Sequence, residues 1–400
     1  MAAKTQTVKE TILVTGIDLS SAFDTIDRHK LINLLEDVIE PDELQMVRVL
    51  LNRTSLTIKM TGVMAIPFET NVGSPQGDGL SGDLFTVYFE HALRALRARL
   101  NDLSPLTVHQ MQHQHPPPEV EYADDADFIT VEKQRDEVFN QIFSDTLEEY
   151  KLKSNVTKTE HTVIERETYE TELWRHVKKL GSLLGDREDI NRRKQLAIVA
   201  MNKYEKTWIR NTPLNQSVRL NVYNTVVKPV LLYNCSTWGL TVGDEDKLDS
   251  FHRKQLRCVL GKRYPDKISN KNLYETCKSK PISIEIAKQR WQLFGHILRL
   301  EVDTPAYQSM LYYFQYLPKE SYRGGKRTTI VTTLNRDLEL VKKKFQLTCF
   351  EKYPFLRRLS ETLISKHDLE ALRTFAQDRK AWRSLVGHVY SATVASKSFI

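Results

Sequence analysis

The chain has 400 residues, of which 40% are hydrophobic, so it can bury sizeable cores in two or three domains. No apolar run approaches the ~18 residues of a membrane-spanning helix, and the start lacks the apolar core of a signal peptide, so we expect an intracellular protein, nuclear or cytoplasmic, and no membrane partner. The four cysteines are widely separated and include no C-x-x-C pair, which argues against a zinc ribbon or a disulfide framework.

The net charge of +7 is unevenly distributed along the chain. Residues 1–150 hold 12 Lys/Arg and 25 Asp/Glu, whereas residues 151–400 hold 46 Lys/Arg and 26 Asp/Glu. An acidic part joined to a strongly basic part predicts a site that collects cations beside a surface that binds polyanions. A merely solvated surface explains this segregation less well, so nucleic acid is the favoured partner.

The first predicted element is a buried strand. Residues 11–19 are apolar and β-branched up to Asp18, so the strand carries a carboxylate to its C-terminal end. Leucines at helical spacing predict a helix around residues 31–38, and Pro41 begins a second helix. The runs "SLTIKM" and "IPFETN", separated by a turn at Thr61-Gly62, predict a short pair of strands.

A glycine-rich loop, "VGSPQGDG", comes next and leads into a long helix from about Ser81. Residues 101–118 then break the pattern with prolines and histidines. His109, His113 and His115 in this segment invite a metal assignment, but a flexible polar loop explains them more simply.

The stretch "EYADDADFITV", residues 121–131, sets Asp124 and Asp125 between two runs of strand-forming residues. It predicts a hairpin with the carboxylates at its tip, although a solvated Asp-rich turn is the simpler alternative. A helix, a turn with a strand, and one more short strand and turn follow, and helical periods dominate from about residue 190. We therefore predict an α+β fold, with a small antiparallel sheet that has helices on one face and a mainly helical, basic region after it.

The acidic residues also predict a chemistry. If the strand that ends at Asp18 lies beside the hairpin of Asp124 and Asp125, three carboxylates converge at one end of the sheet. Like charges a few Å apart disfavour ionisation, whereas a divalent cation reverses that cost. Oxygen ligands favour Mg²⁺ or Mn²⁺, and two such ions can support phosphoryl transfer.

Five motifs stand in the order of the palm motifs of reverse transcriptases: "DLSSAFD" from Asp18, "GSPQGDGLSGDLF" at 73–85, "YADD" at 122–125, "NVTKTE" at 155–160 and "LGSLLG" at 180–185. The sequence most resembles the enzymes of non-LTR (LINE-type) retrotransposons, strongly over about residues 10–190 and more loosely downstream. The resemblance implies a polymerase palm and the start of a thumb in residues 1–190, and a helical, basic thumb and nucleic-acid-holding region in residues 191–400.

The resemblance also implies roles for the acidic and loop residues. It makes Asp18 and Asp124 metal ligands and Asp125 the third catalytic carboxylate, which together hold two Mg²⁺ or Mn²⁺ ions. It places Gln76 and Gly77 along the incoming nucleotide and the template, where glycine permits close backbone approach.

Three further positions match family motifs. Phe23 matches the steric gate that crowds a nucleotide 2′-hydroxyl, with an ordinary core aromatic as the equal alternative. Lys158 matches the lysine that protonates the leaving pyrophosphate, although a lone lysine at a strand start usually faces solvent. Leu180 and Gly181 match the turn that grips the primer terminus.

The basic part holds all five tryptophans. Trp291 falls at helical spacing with Phe294 and Leu298, which favours core packing over base stacking. Better candidates for phosphate contacts are Arg323, Lys326 and Arg327 in "RGGKR", and "KKK" at 342–344.

The sequence also departs from the family pattern. Gly82 stands where relatives usually carry proline, and the few residues before Asp18 leave no room for a fingers subdomain, as in an N-terminally truncated enzyme. We expect an RNA-directed DNA polymerase that acts on an RNA template, a DNA primer and dNTPs. A catalytically idle remnant that only binds nucleic acid is the alternative. A palm-fold nucleotide cyclase fits the carboxylates but neither the glutamine-glycine loop nor the basic tail.

Overall fold

A computed structural model describes residues 11–52, 54–75, 78–103, 119–122, 125–130, 133–155, 157–165, 173–209, 213–262, 265–315, 328–345 and 366–397. The chain divides into two compact units, Met1–Arg166 and Glu167–Ile400. The described part mixes α-helices with small antiparallel sheets, so the α+β prediction is confirmed.

The first unit is built around one four-stranded antiparallel sheet with the strand order β6-β7-β1-β8. Its elements are β1 (Ile12–Asp18), α1 (Arg28–Leu35), α2 (Pro41–Leu51), β2 (Thr54–Leu56), β3 (Lys59–Met60), β4 (Val63–Met64), β5 (Phe68–Thr70), α3 (Ser81–Leu103), β6 (Glu119–Tyr122), β7 (Asp125–Thr130), α4 (Lys133–Glu149) and β8 (Glu160–Ile164). The hydrophobic β1 strand lies in the interior of the sheet, paired with β7 on one side and β8 on the other.

Helices cover one face of this sheet. Successive side chains of a strand point to opposite faces, and Ile17, Ala126 and Phe128 belong to a single buried cluster with aromatic residues of α3 and α4. Phe128 contacts Phe139 and Phe143 of α4 at ring-centroid distances of 4.7 and 5.2 Å. The predicted layering is therefore confirmed.

The predicted short strands between α2 and the glycine-rich loop are present. β2 pairs with β5, and β3 pairs with β4 through the turn at Thr61-Gly62, where both residues have positive φ. The turn thus uses the left-handed backbone that suits a tight two-residue hairpin.

The second unit begins with a small hairpin and continues as helices. Its elements are a 3₁₀ turn (Leu173–His176), β9 (Lys178–Lys179), β10 (Ser182–Leu183), α5 (Asp186–Tyr204) with a π-helical end (Glu205–Ile209), α6 (Gln216–Val222), a π-helical turn (Tyr223–Val227), α7 (Lys228–Leu232), a 3₁₀ turn (Cys235–Thr237), α8 (Val242–Val259), α9 (Asn270–Thr276), α10 (Ile282–Arg299), α11 (Pro305–Gln315), α12 (Ile330–Phe345), α13 (Lys366–Gln377) and α14 (Arg379–Lys397). The predicted division at residue 190 falls inside α5, and as a division of roles it stays a prediction.

Two hydrophobic clusters support these helices, one formed around α5 to α9 and one around α10 to α14. Trp291, Phe294 and Leu298 are buried in the latter, so core packing is confirmed for Trp291. In the described ranges Cys235, Cys258 and Cys277 form no disulfide. Within those same ranges, none of the helices has the length and apolar character needed to span a bilayer.

Candidate active site

The two acidic motifs meet at one end of the sheet. Asp18, the last residue of β1, is the Cα partner of Asp125, the first residue of β7. Directly opposed residues of an antiparallel pair have Cβ atoms ~4.5–5.5 Å apart, so their side chains are neighbours. The hairpin predicted around the acidic pair also forms, since Asp125 pairs with Tyr122 of β6.

The face on which these carboxylates lie follows from the register. Asp18 and Asp125 lie on the same side of the sheet as the opposed pair Val14 and Ile129. Ile17 and Ala126, one residue away, face α3 and α4. The two carboxylates therefore lie on the face of the sheet opposite to those helices, at the C-terminal end of β1.

A lysine completes this group from the other side of β1. The Lys158 Nζ atom donates to Asp18 Oδ2 at 3.0 Å, and 63% of the lysine side chain is exposed against 26% of the aspartate. The backbone fixes this turn, because Asn155 N–H donates to the carbonyl oxygen of Asp18 at 2.8 Å and Lys158 N–H donates to that of Asn155. The structure thus brings together Asp18, Asp125 and Lys158.

The resemblance implies divalent ions at this site, and the donor atoms present there are carboxylate oxygens. Carboxylate oxygens are the ligands that Mg²⁺ and Mn²⁺ prefer, and two opposed carboxylates need a cation to share their charge. Asp18 and Asp125 fit that requirement. Asp124 lies outside the described residues, and among those residues no group of three or more His, Cys, Asp or Glu side chains is arranged to hold a metal.

Phe23 lies in the turn that follows β1. Its ring is half-buried and packs on Phe85 of α3 at a centroid distance of 4.8 Å. The carbonyl of Phe23 accepts a hydrogen bond from Ser74 N–H at 2.7 Å, which ties this turn to the segment before Gln76. The ring therefore belongs to the rim of the core, and the gate hypothesis stays a prediction.

The turn predicted to grip a primer is a real hairpin turn in the second unit. Leu180 and Gly181 connect β9 to β10, and both have positive φ, 46° and 79°. The left-handed backbone is unfavourable for leucine, so the surroundings must hold it.

Three side chains hold that turn. Tyr233 Oη donates to the carbonyl of Leu180 at 2.8 Å, and Arg192 and Arg193 both donate to the carbonyl of Gly181. Arg193 also donates to Ser182 Oγ at 2.9 Å. Both carbonyl oxygens of the turn therefore have partners, while 48% of Leu180 stays exposed.

The comparisons with known proteins agree with the motif order. Residues 2–195 match the family model of reverse transcriptase (RNA-dependent DNA polymerase). This reverse transcriptase match spans β1 to β10 and so includes Asp18, Asp125, Lys158 and the Leu180-Gly181 turn. No curated protein matches the chain.

Two telomerase structures, both in complex with a TWJ fragment of telomeric RNA, are similar to the chain. For the telomerase from Candida tropicalis the identity is 10% and the TM-score 0.35, with 78% of this chain and 50% of that chain covered. For the one from Candida albicans the identity is 12% and the TM-score 0.27, with 77% and 50% covered. The chain spans about half the length of each, and these TM-scores are too low to carry an argument.

Several predicted site residues lie outside the described residues. They are Asp124, Gln76, Gly77, Arg323, Lys326 and Arg327, together with His109, His113 and His115 of the segment predicted to be a loop. Their assigned roles stay predictions. In the "KKK" run, Lys342 pairs with Glu339 at 2.8 Å and Lys344 donates to the carbonyl of Ser391, so both already have protein partners.

Arg28, a buried residue next to the reverse transcriptase motifs, was not among the predicted site residues. Its guanidinium donates to the carbonyls of Gly73, Leu51 and Thr70 at 2.7, 2.6 and 2.8 Å, and to Thr54 Oγ1 at 2.8 Å. Burial lowers the pKa of this arginine. One side chain thus ties the end of α2, the β2–β5 pair and the start of the glycine-rich loop together.

Gly73 itself is required at that junction. Its φ is +76°, and a Cβ atom there would lie 2.7–2.9 Å from backbone atoms of Asp24. The Asp24 backbone cannot move aside as the end of a flexible side chain could, so no residue larger than glycine fits at position 73. No local pattern in the sequence indicates this contact, because Arg28 simply follows Asp27, the residue that caps α1.

Proposed function

We propose that this chain is an RNA-directed DNA polymerase of LINE-like type, which adds dNTPs to the 3′-hydroxyl of a primer on an RNA template. The observation that carries the proposal is the opposition of Asp18 and Asp125 at the end of the sheet. The reverse transcriptase match over residues 2–195 supports it, because the opposed pair falls inside that region.

Asp18, Asp124 and Asp125 would hold two Mg²⁺ or Mn²⁺ ions. When bound, such ions favour the ionised form of an attacking hydroxyl and neutralise charge on the leaving phosphate. Asp18 and Asp125 stand on paired strands, with Asp18 anchored through its own carbonyl to Asn155, and the pairing fixes the spacing of these two carboxylates. A nucleotidyl transfer needs such fixed geometry more than it needs acid-base chemistry from the protein.

Lys158 is the residue assigned to the proton at the leaving group. Its exposed ammonium can move from Asp18 to a triphosphate, since most of its side chain is in solvent. There it would neutralise the phosphates and donate a proton to pyrophosphate. Phe23 would crowd the sugar 2′-position, and Gln76 and Gly77 would lie along the nucleotide.

The second unit is the proposed holder of nucleic acid. The excess of basic residues in 151–400 favours phosphate contacts, with Arg323, Lys326 and Arg327 as the assigned group. The supported turn at Leu180-Gly181 is suited to hold a primer strand, because its backbone is fixed before nucleic acid arrives.

The test is Mg²⁺-dependent primer extension on an RNA template by the purified chain. We expect extension by the wild type and its loss in Asp18→Asn and Asp125→Asn, which remove charge and not core volume. Asp42→Asn, the same change at an exposed position in the first turn of α2, should leave the rate unchanged. Extension by either site variant at the wild-type rate would contradict the assignment.

The alternative is a remnant that binds nucleic acid without catalysis. Tight binding of the template-primer by the wild type, without any extension in Mg²⁺ or Mn²⁺, would identify it. The binding measurement therefore accompanies every extension assay.

A further inference from the structure

Tyr233 is an exposed aromatic residue in a buried stretch of chain. It follows the last residue of α7, and its extended backbone, φ −60° and ψ 125°, turns it away from the helix. Leu231, Leu232 and Cys235 around it are buried, whereas 49% of Tyr233 is exposed. Burial of apolar surface therefore does not explain why an aromatic side chain stands at this position.

The ring of Tyr233 is nevertheless fixed in place. Its hydroxyl donates to the carbonyl of Leu180 at 2.8 Å, and the guanidinium of Arg193 lies over the ring at 4.3 Å from the centroid. A Cβ atom on Gly181 would be 3.5 Å from the Tyr233 hydroxyl oxygen and 3.6 and 3.7 Å from two ring carbons, so the turn lies against the ring. A side chain held in this way has already lost its rotamer freedom on folding. Binding a ligand to it therefore carries no further entropy cost for ordering that side chain.

The support under the ring is itself buried. Only 6% of Arg193 is exposed, and its Nε lies 3.6 Å from Asp189 Oδ1. Asp189 accepts from Leu183 N–H at 2.9 Å and from Trp238 Nε1 at 3.0 Å. Asp189 therefore holds the Arg193 guanidinium in place, and the guanidinium in turn supports one face of the Tyr233 ring.

We infer that the exposed part of the Tyr233 ring is a stacking site for a nucleobase of the primer strand. Every base has a π-face, so an immobile aromatic surface binds bases without sequence preference. Leu180, 48% exposed in the adjoining turn, extends the apolar surface, and Lys178 in the same hairpin is exposed and positive. A small apolar surface beside positive charge fits a base with its phosphate and does not fit an apolar protein face.

This inference rests on the proposed function, because it uses the assignment of the Leu180-Gly181 turn to the primer. The probe is a DNA primer annealed to an RNA template, with 2-aminopurine as the primer-terminal base. Binding is measured without Mg²⁺ and dNTPs, by affinity and by the fluorescence of the 2-aminopurine. The result therefore does not depend on catalysis.

Two variants separate stacking from mere support of the turn. Tyr233→Phe keeps the ring and loses the hydrogen bond to Leu180, whereas Tyr233→Leu loses both. Stacking predicts that affinity falls about 5- to 100-fold in Tyr233→Leu with loss of the fluorescence change, and much less in Tyr233→Phe. Equal losses in the two variants would overturn the inference, because support alone would then explain them.

Trp208 provides the matched control, since it is an aromatic residue of the same unit with 47% exposure. Trp208→Leu should leave the terminal fluorescence unchanged, and a loss equal to that of Tyr233→Leu would count against a specific site. If the wild type binds as described but does not extend the primer, the stacking site stands and the polymerase proposal fails. If the wild type extends the primer and Tyr233→Leu binds it like the wild type, the polymerase proposal stands and the stacking inference fails.

Discussion

Asp18 and Asp125 are direct partners across strands β1 and β7, at the end where β1 leaves the sheet and β7 enters it. Two carboxylates in opposed positions repel each other, and a sheet that keeps them there loses stability unless a cation joins them. Lys158 supplies one positive charge, at 3.0 Å from Asp18. Lys158 thus offsets part of the repulsion between the two carboxylates, and a bound cation would offset more of it.

The first prediction concerns Lys158. Lys158→Gln should lower kcat for primer extension by about a hundredfold or more, because a general acid contributes ~10²–10⁴ in rate. Lys158→Arg should recover part of the loss, since it restores charge at the phosphates. Single-turnover kinetics over a range of dNTP concentrations measures both. Lys153→Gln, an exposed lysine of the same turn, is the control, and a kcat of wild-type size for Lys158→Gln would refute the role.

The second prediction separates the two roles of Phe23. Phe23→Val should raise incorporation of ribonucleotides relative to deoxyribonucleotides by at least about tenfold, if the ring crowds the 2′-hydroxyl. The lost contact with Phe85 should also cost about 1–2 kcal/mol of unfolding free energy. Phe89→Leu in the same core should destabilise the fold without changing the sugar preference. Unchanged discrimination in Phe23→Val would leave Phe23 as a core residue alone.

The third prediction concerns the Arg28 network. Arg28→Met keeps much of the volume but leaves the carbonyls of Leu51, Thr70 and Gly73 without their donor. We expect a loss of about 2–4 kcal/mol in denaturant unfolding and a raised KM for dNTPs, because the glycine-rich loop loses its anchor. Arg48→Met, a surface residue that pairs with Glu36, should cost about 0.5 kcal/mol or less. A cost that small for Arg28→Met would refute the anchoring role.

The fourth prediction concerns the basic segment. With six or more phosphate contacts, the affinity of the chain for RNA should fall about a thousandfold or more between 50 and 200 mM salt. Replacing Arg323, Lys326 and Arg327 with glutamine should reduce the slope of log affinity against log salt by up to about three. Filter binding or fluorescence anisotropy over a salt series measures both.

The control for this series lies in the first unit. Glutamine at the exposed positions Lys59, Arg94 and Lys151 removes the same number of positive charges from the acidic part of the chain. We expect the salt slope to stay close to that of the wild type. Equal slopes for the two triple variants would show that net charge, rather than the assigned segment, sets the affinity.

The fifth prediction is a pH dependence of stability at the start of α5. Burial raises the pKa of Asp186 to about 6, although its Oδ2 accepts from Gly239 N–H at 3.0 Å. Because the folded pKa lies above the unfolded value of ~3.9, the folded state binds the proton more tightly, and this stabilisation is complete below pH ~4 and lost as the pH rises past 6.

The test compares the wild type with Asp186→Asn, in which the amide oxygen can still accept from Gly239. Relative to the wild type, Asp186→Asn should be roughly 2–3 kcal/mol more stable at pH 8 than at pH 4. Asp266→Asn, at an exposed position, is the control for the loss of one carboxylate. A pH-independent difference for Asp186→Asn would show that the carboxyl group has an ordinary pKa.

The sequence predicted the main elements of the first unit because its strands have distinctive patterns. The apolar run up to Asp18 and the acidic pair inside a strand-forming stretch predicted β1 and the hairpin of β6 and β7, whereas their pairing was only the condition under which the carboxylates would converge. The pairing of β8 with the other edge of β1 depends on register between distant segments, which a local pattern does not encode. That pairing is what brings Lys158 to Asp18.

Arg28 and Tyr233 could not be predicted. Arginine is almost never fully buried, so the sequence alone predicts that Arg28, in the first turn of a helix, is exposed. Only the structure shows that three backbone carbonyls converge on its guanidinium. Tyr233 falls in an apolar helical run and indicates a core residue, and only the tertiary contact with Leu180 shows that it turns outward. Both depend on residues far away in sequence.

The strand order also determines when the acidic site can exist as the chain folds. β1 is nearly the first segment of the chain, yet its partners are β7 and β8, more than a hundred residues later. Contacts of such long range form late, because closing long loops costs entropy before any pairing is gained. A growing or cleaved chain that ends before β7 therefore has Asp18 without its opposing carboxylate, so the acidic pair is assembled only once nearly the whole first unit has been made.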